Sequence, residues 1–255
     1  MSFFKNHISF VIVVVFSFFV QKAEAQIINI EQKRIITDTV GFAGDFGLSL
    51  NASKYSSSYF AFTTDGHLQY KSHKHLLLLY GNYTIINVNG DDFNRTGFAH
   101  LRYNYELNDL IRLEAFIQTQ QNALLLIQRR DLNGAGLRLK LSQYENAKFY
   151  YGITLMRESE ILSTDGRKSL DSRASSYFTF TLAPQESVRL SNTSYIQPLV
   201  KEIRDFRFSN DLSLSFQITK KLLFLTTFHY LYDSRPAGNI PLSNYEVTNG
   251  VSYRF

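Results

Sequence analysis

The sequence predicts an all-β fold: an antiparallel transmembrane β-barrel of the outer-membrane type, with about 12 strands. Three observations carry this prediction. Segments of about 9–11 residues, the length a tilted membrane strand needs, alternate apolar and polar positions with period two. Connections after even-numbered segments are short and polar, while the longest follow odd-numbered segments, which is how a barrel divides tight turns from longer loops. The chain has 16 Tyr and 22 Phe against 4 Pro, and it closes on an alternating segment ending in Phe255.

Residues 1–25 read as a secretory signal. Lys5 and His7 make a polar start, residues 8–20 are an apolar run, and Ala23-Glu24-Ala25 is a small-x-small cleavage site. Cleavage is expected between Ala25 and Gln26. The apolar run is shorter than the roughly 20 residues of a spanning helix, which argues against an uncleaved anchor. No Cys occurs anywhere, so neither a lipid-modified terminus nor a disulfide framework is possible. Residues 26–39 are a polar lead-in, expected on the periplasmic side, and residues 40–255 are the expected barrel. The formal charge of +5 comes without any Lys/Arg block interleaved with aromatics, which speaks against nucleic acid as a partner.

The first strand is expected over 40–52, with Val40, Phe42, Phe46, Leu48 and Leu50 on its lipid face and small or polar residues opposite. The second, 59–70, points Phe60, Phe62, Leu68 and Tyr70 outward and Asp65, His67 and Gln69 inward. The third, 75–87, has the weakest register because 76–79 are apolar on both faces; Leu77, Leu79, Tyr83 and Ile85 are placed outward. Asn89-Gly90-Asp91 is turn chemistry. The fourth, 93–107, sets Leu101, Tyr103 and Tyr105 against His100, Arg102, Asn104 and Glu106. Asn108-Asp109 turns the chain into the fifth, 110–120, with Arg112, Glu114 and Gln118 inward.

A longer connection is expected over 121–133. The sixth strand, 134–141, carries Arg138 and Lys140 inward, and the seventh, 148–157, carries Phe149, Tyr151, Ile153 and Leu155 outward. A long charged loop is expected over 158–173. The eighth strand, 174–182, and a weak ninth, 188–197, follow, then a loop over 198–205. The tenth, 206–218, is clean, with Arg207, Ser209 and Asp211 inward. The eleventh, 222–232, points His229 inward, and a loop over 233–243 leads to the last strand, 244–255. Tyr253 and Phe255 on that strand resemble the terminal signal that outer-membrane barrels present to the barrel-assembly machinery.

Phe98-Ala-His-Leu-Arg-Tyr-Asn-Tyr-Glu-Leu-Asn-Asp109 and Leu132-Asn-Gly-Ala-Gly-Leu-Arg-Leu139 carry a family resemblance. Tyr232-Asp-Ser-Arg-Pro-Ala-Gly238 and Gly250-Val-Ser-Tyr-Arg-Phe255 extend it. Over 41–255 the chain resembles the YdiY-like family of salt-induced outer-membrane proteins. The resemblance implies location and fold, in the outer membrane of a Gram-negative bacterium, and brings no active site with it.

Few residues suggest chemistry. Membrane hydrolases need a Ser-His pair on the barrel wall, whereas His67, His100 and His229 project inward by parity. His73 and His75 lie near a turn, and two ligands do not make a metal site. No catalytic group, metal or cofactor is therefore expected. The informative set is inward and charged: Arg102, Glu106, Arg112, Glu114, Arg138 and Lys140. Either it forms a selectivity constriction, or it is a salt-bridged plug in a narrow lumen. The functional expectation is a passive or structural envelope barrel, or a narrow channel for ions or small solutes, embedded in outer-membrane lipid. The alternatives are a lipid-modifying enzyme, or an assembly or adhesion partner acting through the 158–173 loop.

Overall fold

The computed structural model describes residues 40–54, 58–144, 146–185, 187–219 and 222–253. The expected signal segment, the Ala25–Gln26 cleavage point, the 26–39 lead-in and Phe255 lie outside the described residues.

Twelve strands form one antiparallel sheet in strict sequence order. They are β1 (Gly41–Lys54), β2 (Ser58–Lys71), β3 (His75–Val88), β4 (Asp91–Glu106), β5 (Ile111–Asn122) and β6 (Ile127–Tyr144). Then come β7 (Ala147–Leu162), β8 (Lys168–Gln185), β9 (Val188–Leu199), β10 (Glu202–Gln217), β11 (Leu222–Asp233) and β12 (Ser243–Tyr253). This up-and-down order is the transmembrane-barrel architecture expected from the alternation. β1 and β12 are its edges, and among the described residues no ladder joins them.

Sequence parity survives the test of burial. In β3, Leu78, Tyr80 and Ile86 are buried while Leu77 and Leu79 are exposed, so the doubtful register is the one expected. In β9, Ile196 is exposed between buried Tyr195 and Gln197. Turn chemistry also behaves as read. Asn89 (φ 56) and Gly90 (φ 90) both adopt positive φ, as a two-residue hairpin turn matched to strand twist requires. The Asn108 side-chain oxygen accepts from the Leu110 and Ile111 amides at 3.0 and 2.8 Å, closing the turn between β4 and β5.

The loops after odd strands differ from expectation. Residues 121–133 are not a loop: β5 runs to Asn122, a single 3-10 turn covers Ala123–Leu125, and β6 begins at Ile127. Residues 158–173 are mostly strand, with only 163–167 between β7 and β8. The expected 198–205 loop shrinks to 200–201. The physical reason lies on the outer wall. Beyond Leu155, Ala174 and Ala135 the outward positions become Arg157, Ser172 and Asn133. The hairpins continue past the apolar belt, where the outward face turns mostly polar, with Ile161 and Leu170 as isolated exceptions, and an apolar-outward criterion stops detecting them. Only 234–242 remains long.

That last loop folds back over the outer end. Ile240 packs on the buried cluster of Leu125, Ile127, Tyr177, Tyr195 and Leu231. A Cβ at Gly238 (φ 54) would meet Leu126 at 3.0 Å. Ser234 accepts from the Phe206 amide at 2.8 Å, and the exposed Arg235 guanidinium pairs with Glu202.

Candidate functional site

The site is the interior, and its geometry follows from register. In β4 and β5, Glu106 opposes Arg112 and Asn104 opposes Glu114. Period-two alternation then turns all four side chains to the same face. Two ion pairs form within the inward set. Arg112 bonds Glu106 at 2.8 Å, half-buried near the β4–β5 turn. Arg102 lies 3.4 Å from Glu114, and both are buried.

Glu114 is a hub. It accepts from Asn104 at 2.9 Å and from the Tyr177 hydroxyl at 2.7 Å. Arg138 donates to the same hydroxyl at 3.1 Å, and its guanidinium lies 4.1 Å from the Tyr150 ring centroid, a cation–π contact. Lys140 is half-buried and outside this net. Tyr177 was not among the expected residues. It reaches across the interior because it lies flat on Gly152: a Cβ there would fall 2.1 Å from the ring.

A second, larger network sits toward the outer end. Arg130 is fully buried and pairs with Glu160. Arg207 bonds Glu158 at 2.6 Å and Asp233 at 3.2 Å. Arg173 lies 3.6 Å from Glu158 and donates to Asp205 at 3.0 Å. Three guanidinium groups thus interlock with four carboxylates on β6, β7, β8, β10 and β11. Burying a charge is tolerable only when it is paired and hydrogen-bonded, and here each arginine has at least two carboxylates within reach. The sequence held a usable signal: Glu158 and Glu160 keep the inward parity of Tyr150 and Thr154, and Arg207 was already placed inward.

Between the networks lies a cavity of about 30 Å³, room for about one water, lined by His100, Arg102, Phe116, Tyr177 and Gln197 among others. His100 contacts Gln118 at 2.7 Å and accepts from Arg102 at 3.3 Å. Side chains of β4–β10 therefore fill their share of the lumen.

The other sector differs. Away from these networks the inward charges include the acids Asp45 of β1, Asp65 of β2, Asp211 of β10 and Glu246 of β12, accompanied by His67 and His229. His67 lies 3.6 Å from Asp45, whose side chain is 67% exposed, and His229 pairs with Asp211. An open groove runs along β1–β4 at the sheet edge, lined by Asp45, Asp65, His67 and Tyr80 and also by the outward Phe42, Phe46 and Leu68. His75 bonds the outward Tyr103 hydroxyl at 2.7 Å. Among the described residues no group of three or more His, Cys, Asp or Glu is placed to hold a metal ion.

The sequence model of a family described as "Protein of unknown function, DUF481" matches residues 44–255. That span contains every stretch on which the family resemblance rests. No curated protein matches the chain. Among solved structures, one described as "NanC porin structure in rhombohedral crystal form" is similar. It has 14% sequence identity and a TM-score of 0.46, over 82% of this chain and 100% of that one.

Proposed function

The chain belongs to the DUF481 family, and from that premise we propose that it is a structural barrel of the bacterial outer membrane whose lumen is closed by its own side chains. The observation that carries this reading is the pair of interlocked charge networks separated by space for a single water. An ion crossing this sector would have to part buried guanidinium–carboxylate contacts, and separating such charges in a low-dielectric interior costs several kcal/mol, roughly the penalty for one unpaired buried ion. The folded-back 234–242 loop adds a cover at the outer end. Lipid surrounds the apolar belt, the signal segment is removed on export to a Gram-negative outer membrane, and Tyr253 with Phe255 addresses the assembly machinery. The reading is non-enzymatic: His67, His100 and His229 lie inside the sheet, away from lipid substrates.

Planar-bilayer recording of the purified chain tests it. The wild type is expected to be silent, and the double variant Glu158→Ala, Arg207→Ala to show discrete steps. Steady wild-type conductance steps would overturn the closed-barrel reading.

A second reading has its own observation. The exposed Asp45 and the open groove along β1–β4 mark a sector where β1 and β2 bring the inward acids Asp45 and Asp65, while Arg102, Arg130, Arg173 and Arg207 are held against carboxylates. If the wild type conducts, this sector is the path, and Asp45→Asn should lower its preference for cations.

A further inference from the structure

The lipid-facing wall of β8–β10 carries polar residues where the belt should be apolar. At the middle of β10, Asn210 lies directly opposite Ser194 at the middle of β9 and opposite Tyr230 of β11. Parity puts both on the outer face, together with Phe178, Ile196, Phe208 and Leu212. The Asn210 amide donates to the Ser194 hydroxyl at 2.7 Å. Ser194 donates to Asn192 at 3.3 Å, and Asn192 donates to the Asp211 carbonyl at 3.3 Å. On the neighbouring strand the outward Ser176 donates to the Tyr151 hydroxyl at 2.9 Å.

A carboxamide offers two N–H donors and a carbonyl oxygen with two lone pairs. Asn210 uses one N–H on Ser194 and has no further partner among the described residues. In hydrocarbon no water is available for the rest, and each unsatisfied group costs several kcal/mol, roughly. Polar side chains at such depth commonly join one membrane element to another. We propose that this face is a two-fold interface between copies of the chain, with Asn210 of each copy bonded to Asn210 of its mate.

Two features favour a second copy over another occupant. A carboxamide is complementary to itself, since donor and acceptor sit on one group, and a two-fold axis brings identical residues together. The patch also holds no ionised side chain, so it demands no oppositely charged partner. Around it, Phe178, Ile196, Phe208 and Leu212 supply apolar surface for close packing. The inference needs the barrel to sit in lipid but does not depend on whether its lumen conducts.

The chain has no cysteine, which makes single-site cross-linking clean. Ile196→Cys, on the patch, should cross-link to a dimer in lipid vesicles under mild oxidation. Leu77→Cys, outward on β3, should not. In the cysteine-free chain, Asn210→Leu should weaken self-association about tenfold, the scale of one or two interhelical-type polar bonds in membranes. Heat-modifiable migration of the folded barrel should stay unchanged, which separates loss of the interface from loss of folding. A wild-type chain that is monomeric in vesicles, or an Asn210→Leu dimer as tight as the wild type, would overturn the proposal.

Discussion

Glu158→Ala should destabilise the folded barrel by about 3–5 kcal/mol, the cost of leaving buried cations without their partner. The residue is only 2% exposed and touches Arg207 at 2.6 Å, Arg173 at 3.6 Å and Arg130 at 3.9 Å. Removing it takes one carboxylate from each of Arg130, Arg173 and Arg207, on β6, β8 and β10, and from Arg207 its shortest contact. A rim residue should not behave like this: Asp165, in the exposed 163–167 tip, pairs with Arg167, and exposed pairs contribute about 0–1 kcal/mol. Urea unfolding from lipid vesicles measures the difference. Equal shifts for Glu158→Ala and Asp165→Ala would show that the interior network is solvated rather than buried. Glu158→Gln should fall between, since it keeps the shape and two acceptor lone pairs but loses the charge.

A side chain at Gly152 should be nearly as damaging. Tyr177 lies on this glycine, and a Cβ would sit 2.1 Å from its ring. Gly152→Val therefore forces the ring off the wall, an overpacking cost of about 1–3 kcal/mol. The Tyr177 hydroxyl then loses Glu114 and Arg138, where bonds to charged groups contribute about 1.5–3 kcal/mol each. The cause is testable by a double-mutant cycle. In a Tyr177→Ala background the steric conflict is gone, so Gly152→Val should cost much less there than in the wild type. Additive effects would place the damage in the backbone instead of in the ring. Gly136 makes a second close approach of the same kind, to the backbone of Ile153 and Thr154, but there no flexible side chain can yield.

The failed expectations share one cause. Glu158, Glu160 and Arg173 fall in the expected 158–173 loop because the regular apolar outward alternation breaks after Leu155 and leaves only Ile161 and Leu170 before Ala174. Alternation reports contact with lipid, and the β7–β8 hairpin outlasts that contact before turning at 163–167. The same extension carries Arg130 into the interior at the start of β6 and Asp205 into it before β10 leaves the rim. A reader tracking inward parity alone would have found Glu158, because it continues from Tyr150, Gly152 and Thr154. Tyr177 shares the inward parity of Ser175 and Thr179, yet its bond to Glu114 spans 63 positions of sequence.

The sequence by itself determined a barrel of about 12 strands, the direction of nearly every side chain and the turns at Asn89-Gly90 and Asn108, because a strand's period and a turn's φ requirement are local properties. It also identified Arg102, Glu106, Arg112, Glu114 and Arg138 as inward charges. Only the tertiary structure decided that Glu106 takes Arg112 while Glu114 takes Arg102, Asn104 and Tyr177. It alone joined Arg130, Arg173 and Arg207 to shared carboxylates, and it alone opposed Asn210 to Ser194 on the outer wall. Parity says which face a side chain occupies. Its partner depends on register and on how far the sheet curls to bring distant strands together, and those are set by all twelve strands at once.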